Sequence, residues 1–397
     1  MSSFKDSVEI KTFEHTSDNF TWNLTTSMTD ELLQIINDEA AYNLIPVFVT
    51  CGIIMLFGII GNGLVVKVYW SRMNHSAKRT FILALALLDL MVCAVVIPFE
   101  LYDLRNQYTF QYESVCKSMR FLEYTTVLTA GFVLVSISFE RYYFICKAFQ
   151  DFNSKKAKLI CLTCALVAMV IATPSTIFAG SKTRRFQNGA VNITGCECSM
   201  NSEDHNNDSF KRLYYYCLAA IFFGCFLIFI VIYAIIGHLL WKYHKGKLIP
   251  DIGKLSEKAM PSNHEVSKQM SLENSSGQSH GSCFFGKDRT MKVHGKRCIK
   301  SVGSIVIFFS VTVAFVLSFL PHIIVRLLMF FNINLGSELL YNFMVRSYLI
   351  SNVCNPFIYS ILNKSFRKEL KRTFKCFLVC WPSRDVSLVA EARRHYV

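Results

Sequence analysis

The sequence predicts an all-α membrane protein: a bundle of seven spanning helices followed by a short amphipathic helix on the cytoplasmic side. Three observations predict it. Of 397 residues, 52% are hydrophobic and only 18% charged, where soluble domains carry about 25% charged residues. Seven stretches supply the roughly 20 mostly apolar residues that a helix needs to cross hydrocarbon. Basic residues are also sorted to one side of those stretches.

Residues 1–44 are acidic and polar and read as an exposed, flexible extracellular arm. The opening MSSFKDSVEI lacks the basic-then-apolar pattern of a cleaved signal peptide, so the first span is expected to act as the insertion signal. The spanning region, 45–362, holds Ile45–Trp70, Phe81–Leu101, Ser118–Phe144, Leu159–Ala179, Leu213–Trp241, Val302–Phe331 and Leu339–Leu362. The third and seventh are the most polar. The loop at about 242–300, rich in Ser, Lys, Gly and Asn, reads as disordered. The segment 363–397 begins with Phe366, Leu370, Phe374 and Leu378 at spacing four between Lys and Arg, an amphipathic helix along the inner membrane face.

With the N-terminus outside, the inner loops and tail hold 28 Lys/Arg against nine Asp/Glu, as the positive-inside rule requires. The net charge of +14 therefore belongs to a surface facing anionic lipid, not to a nucleic-acid partner. Asn19, Asn23, Asn192 and Asn207 each head an N-x-[ST] sequon on the outer side, where glycosylation is possible. Of 15 Cys, only Cys116, Cys196 and Cys198 face the oxidising side. One disulfide from Cys116 to either Cys196 or Cys198 is expected. Cys376 and Cys380, beside the basic helix, are candidate S-palmitoylation sites or plain thiols.

Polar groups at membrane depth are costly and mark function. Asp89 and Asn62 interrupt apolar runs, and Ser351, Asn352 and Asn355 interrupt the last span, so one shared polar cluster is expected. It serves as interhelical glue or as a small-cation or proton site. Pro321 and Pro356 each remove a backbone hydrogen bond and give a helix a place to bend. Near the outer mouth, Glu100, Glu123, Arg326 and Arg346 stand on four spans, Glu123 about 27 Å up one helix face from Arg141. They either pair with one another or line a pocket for a ligand carrying both charge signs. Aromatics at the same levels, Tyr102, Tyr124, His322 and Tyr348, would wall it.

Enzyme chemistry has little support, because no HxxH-type cluster and no G-x-S-x-G is present. A transporter or channel is disfavoured by the lack of a repeat between halves.

Seven motifs in order resemble the rhodopsin-like (class A) G-protein-coupled receptors. They are Gly61–Asn62; Leu85 to Asp89; Cys116; Glu140–Arg141–Tyr142; Tyr233; Phe315, Phe319, Leu320 and Pro321; and Asn355, Pro356 and Tyr359. The resemblance covers Ile45 to Cys380. It implies that Glu140 holds Arg141 at rest, and that activation frees Arg141 into a cavity for a heterotrimeric G protein while Tyr233 and Tyr359 rearrange. It further implies encounters with arrestin and receptor kinases, and a sodium ion at Asp89 as the one expected accessory group. The chain departs from the family pattern in several places. No Trp lies between Trp70 and Trp241, Cys225 stands near the usual fifth-span Pro, and Phe319 replaces a Trp. Ala148 replaces a Pro, and Ala130 replaces a hydroxyl of the sodium site.

The last span has no Lys, so retinal has no Schiff-base partner. SFERYYFICKAF, from Ser138, is similar to the cholecystokinin and orexin kind of neuropeptide receptor. With the charged mouth and the long second outer loop, this points to a peptide ligand at the plasma membrane. The alternative is a biogenic amine with Glu123 as counter-ion.

Overall fold

The computed structural model describes residues 26–146, 153–188, 191–200, 208–244, 285–330, 333 and 336–379. Among them six helical segments are long and apolar enough to cross a membrane: Ile45–Arg72, Ala77–Arg105, Glu113–Ile145, Ser154–Phe178, Ser209–Lys242 and Val302–Met329. In chain order the helices are α1 (Thr26–Asn43), α2 (Ile45–Arg72), α3 (Ala77–Met91), α4 (Ile97–Arg105), α5 (Glu113–Cys146) and α6 (Ser154–Ala172). There follow α7 (Pro174–Phe178), the strands β1 (Gly180–Asn188) and β2 (Val191–Ser199), and α8 (Asp208–His244). The chain continues through α9 (Phe285–Phe330), α10 (Glu338–Arg346), α11 (Ser351–Leu362) and α12 (Lys364–Val379).

The seventh crossing is segmented. A 3₁₀ turn, Ser347–Ile350, separates α10 from α11, so the continuous helix expected over Leu339–Leu362 is corrected to two pieces. The polar run explains the break: the Ser347 hydroxyl donates to Ser318 O at 2.8 Å and the Ser351 hydroxyl to Tyr348 O at 2.8 Å. The second span is also interrupted. Val92–Val96 form one wide turn, in which Ile97 N–H donates to Val92 O, just before Pro98. Pro98 has no N–H to offer, and the extra residue re-aims α4 relative to α3. By contrast α9 stays helical through Pro321.

Local chemistry sets the inner joints. Ser76 caps α3 by accepting from Arg79 N at 3.2 Å, and the Arg79 side chain donates to Tyr69 O at 2.7 Å and Trp70 O at 2.9 Å. The last carbonyls of α2 are satisfied in this way. Asn363 opens α12, accepting from Phe366 N at 3.2 Å and donating to Tyr69 OH at 2.7 Å. Phe366 is buried against Tyr69 and Tyr359, whereas Phe374 is exposed, so the apolar face of α12 is shared between the bundle and the bilayer.

Two regions expected to lack structure are partly ordered. Within the arm, Thr26–Asn43 is a helix whose buried Asn37 donates to Arg105 O at 2.8 Å and accepts from Tyr108 N at 3.2 Å. Of the loop read as disordered at about 242–300, the described residues are helical: α8 extends to His244 and α9 begins at Phe285. The second outer loop is a β1–β2 hairpin in antiparallel register, Gly180 opposite Ser199 and Thr183 opposite Cys196. Cys198 pairs with Cys116 and leaves Cys196 an exposed thiol. Gly195 is required at this crossing, because a Cβ there would stand 2.6 Å from Tyr108 O and 3.0 Å from a Leu33 methyl. Asn192 lies in β2 opposite Gln187. Asn19, Asn23, Asn207 and Cys380 fall outside the described residues, and Cys376 sits at the end of α12.

The core is centred on α2, α3, α5, α9 and α11, where Phe81, Phe308 and Tyr359 are fully buried. Leu56, Leu162, Val170, Leu227 and Leu317 are exposed, as expected of side chains that face lipid. Where α2 meets α11, Gly61 lies under Pro356, and a Cβ there would be 2.8 Å from the proline ring. We predict that Gly61→Ala lowers stability by about 1–3 kcal/mol through overpacking. Thermal unfolding of the detergent-purified protein measures this, and an unchanged midpoint would show that the contact can relax.

Candidate functional site

Polar groups gather at three depths. At the outer end a salt-bridge network joins the second, third and seventh spans. Arg120 on α5 donates from Nη1 to Glu100 Oε1 at 2.5 Å and to Glu123 Oε2 at 2.9 Å, and from Nη2 to Asp103 Oδ2 at 2.7 Å. Arg346 Nε lies 3.0 Å from Glu100 Oε2, without an aligned hydrogen bond, and Arg346 Nη1 donates to Asn342 Oδ1 at 2.6 Å. Tyr348 OH donates to the other oxygen of Glu123 at 2.7 Å. These side chains are largely buried, so each ion pair persists only because the surrounding partners replace lost hydration.

Of the charged residues expected here, Glu100, Glu123 and Arg346 come together. Arg326 does not join them: it is exposed, and among the described residues no carboxylate reaches ion-pair distance of it. Tyr102 packs edge-on against Phe110, away from the network. Tyr124 packs against Tyr214. Arg120 and Asp103 were not anticipated. The available signal was spacing, since Arg120 precedes Glu123 by three and Asp103 follows Glu100 by three, each on one helix face.

A stack of rings leads inward. His322 donates from Nδ1 to Val345 O at 2.6 Å and meets Tyr348 edge-on at 5.4 Å between centroids. Tyr348 lies 5.6 Å from Phe319, which lies 4.7 Å from Phe315. Below them a cavity of about 20 Å³, enough for one water, is lined by Asp89, Ala130, Phe319, Ser351 and Asn355. Asn355 Nδ2 donates to Asp89 Oδ2 at 2.7 Å. Because Pro356 has no N–H, Asn352 O is free of the helix ladder, and Asn62 Nδ2 occupies it at 2.7 Å. Asp89 and Asn355 thus touch directly, while Asn62 reaches the Asn352 backbone. The donor set offers a sodium ion Asp89 Oδ1 and the lone pairs of the Ser351 hydroxyl, whose hydrogen is directed to Tyr348 O, but Ala130 adds no oxygen.

At the inner end Glu140 and Arg141 are both buried and paired in two-pronged fashion, with Arg141 Nη2 donating to Glu140 Oε1 at 2.5 Å and Nε to Oε2. Arg141 Nη1 also donates to Ser304 Oγ on α9 at 3.2 Å, and its guanidinium lies 5.3 Å from the Phe144 ring and 5.4 Å from that of Phe308. Tyr233 OH is 3.3 Å from Thr312 Oγ1. Tyr142 points outward and is exposed, and Tyr359 is fully buried beside Tyr69. Arg141 therefore links α5 to α9 at this end of the bundle.

The family model described as 7 transmembrane receptor (rhodopsin family) matches residues 61–359. The alpha-2B adrenergic receptor of Cavia porcellus is 30% identical over 155 residues, 38% of this chain and 33% of that protein. The cholecystokinin receptor type A of Homo sapiens is 35% identical over 133 residues, 32% of this chain and 31% of that protein. The chain thus spans about a third of the length of these curated relatives. The crystal structure of squid rhodopsin overlays with a TM-score of 0.61 over 86% of this chain and 83% of that one, at 18% identity, a likeness of fold.

Removing Arg120 would leave Asp103 and Glu123 without a cation and Glu100 with Arg346 alone. Arg120→Ala is expected to cost about 3–5 kcal/mol, the usual penalty for breaking a buried ion pair from one side. A thermal midpoint in detergent within a degree of the parent would show that the network is dispensable.

Proposed function

We propose, from the premise that this chain belongs to the rhodopsin family of seven-transmembrane receptors, that it is a plasma-membrane receptor for an extracellular peptide. Its N-terminus lies outside, and it activates a heterotrimeric G protein at its inner end. One observation carries the ligand class. Glu123, the acid available to a small amine, has both carboxylate oxygens engaged, one by Arg120 and one by Tyr348. A cationic amine would have to displace an internal guanidinium. Beyond the network, the β1–β2 hairpin packs on α1 and α5 and is tied to α5 by the Cys116–Cys198 disulfide, a further surface that a peptide chain could contact. The relatives' names include both an adrenergic and a cholecystokinin receptor, so the geometry of the mouth supplies the preference.

The ring stack suggests how the signal travels. Tyr348 is held by Glu123 above and touches Phe319 beside it. A ligand that draws Glu123 or Glu100 out of the network loosens Tyr348, and Phe319 and Phe315 follow. Movement of α9 then separates Ser304 from Arg141, and the guanidinium, released from Glu140, faces the G protein. Water entering that gap weakens the ion pair further by raising the local dielectric. Receptor kinases and arrestin would meet the same inner surface, and anionic lipid the basic face of α12.

A second-messenger screen of cells expressing the chain, against neuropeptide and amine libraries, tests the reading. An amine hit abolished by Glu123→Gln would replace it. Arg141→Ala is expected to abolish nucleotide exchange on the G protein while radioligand binding persists; retained exchange would remove Arg141 from the mechanism. Tyr348→Phe deletes a hydrogen bond to a carboxylate, about 1.5–3 kcal/mol of restraint, and is expected to raise ligand-free signalling. Unaltered basal output would mean that Tyr348 transmits nothing.

A further inference from the structure

We propose that Arg326 determines ligand specificity by taking an oxyanion of the ligand, either a carboxylate or a sulfate ester. The inference rests on the peptide reading above and names the chemistry that reading leaves open.

Arg120, Arg326 and Arg346 stand at similar depth toward the outer end of the bundle, and they are not equivalent. Arg120 is surrounded by Glu100, Asp103 and Glu123, and Arg346 is held between Glu100 and Asn342. Neither has a charge left to offer without dismantling the network. Arg326 differs: among the described residues it has no carboxylate at ion-pair distance, and solvent reaches it. Its position is not that of a surface arginine. It follows Phe319 by seven and His322 by four, the spacing of one helix face, and both those rings point inward onto Tyr348. It also lies within electrostatic reach of Tyr124 on α5, Tyr215 on α8 and Tyr341 on α10. Arg326 is thus exposed to water on the helix face that His322 and Phe319 turn toward Tyr348, on the side of α9 that faces α5, α8 and α10.

The chemistry of that wall is one-sided. A planar guanidinium presents paired N–H donors matched to a carboxylate or sulfate, and the three nearby phenols add hydroxyl donors. Glu123 and Glu100 feel the Arg326 charge, but each already has a nearer cation, Arg120 for Glu123 and both Arg120 and Arg346 for Glu100. An incoming anion therefore meets a cation with no carboxylate partner among the described residues, beside acids that already have cations of their own. A ligand cation at the same place meets direct repulsion.

The test uses the full-length receptor in cells and a peptide library built as matched pairs. One member carries Asp, Glu, a free C-terminus or sulfotyrosine; the other carries Asn, Gln, a C-terminal amide or plain Tyr. Neutralising one anionic group of an activating peptide is expected to raise its EC50 at least about tenfold, the effect of losing a charge-assisted hydrogen bond. Arg326→Gln should impose a similar loss on the anionic member and little on its neutral partner, the non-additivity that marks a direct contact. Arg326→Lys should retain part of the preference. If Arg326→Gln fails to reach the cell surface, the ligand-side neutralisation and Arg326→Lys still decide. Equal losses for both members of a pair, or potencies indifferent to the anionic group, overturn the inference and leave the peptide reading standing. Silence from every pair overturns both.

Discussion

Hydrocarbon offers no hydrogen-bond partner, and that constraint governs where every polar atom of this chain sits. Backbone groups are satisfied within helices, so an irregularity survives only where a side chain completes it. Pro356 frees Asn352 O, and Asn62 from another helix answers it. The seventh span breaks at Ser347, and hydroxyls bridge the break. Each lapse in one helix is therefore a bond to a neighbour, and the polar interruptions become joints between spans.

The same constraint concentrates charge. A guanidinium at membrane depth is tolerable only with partners, and the molecule supplies them at both ends in different numbers. Arg120 has three carboxylates drawn from two spans, an arrangement that resists loss of any one contact. Among the described residues Arg141 has one acid, its own neighbour in sequence, plus a hydroxyl on α9. The outer end is over-determined and the inner end is not. On the proposed mechanism, conformational change begins with a rearrangement above and ends with a separation below.

Much of this was legible in the sequence, for physical reasons. Spans announce themselves through length and hydropathy, and Asp89, Arg141 and Pro356 stand out because hydrocarbon makes them expensive. Arg120 and Asp103 escaped notice because they lie near span ends, where charges are ordinary, and only their spacing from Glu123 and Glu100 marks them. The helix at Thr26–Asn43 is mostly polar and is ordered by contacts from Asn37 to a distant loop, which no local pattern encodes. The wide turn at Val92–Val96 leaves no compositional trace beyond the proline that follows it. The choice between Cys196 and Cys198 depended on hairpin register, and register follows from the whole loop.

The length of α9 sets a scale for movement at the end of the bundle that carries Arg141. The helix starts at Phe285, and Pro321 lies roughly 36 residues along it, about 54 Å away at 1.5 Å per residue. As a lever pivoting at that proline, it converts a bend of about 6°, well within what a missing hydrogen bond permits, into a sideways sweep of about 5–6 Å at its tip. A displacement too small to disturb the rings around Tyr348 by a full bond length is thus magnified into a gap wide enough to admit a side chain.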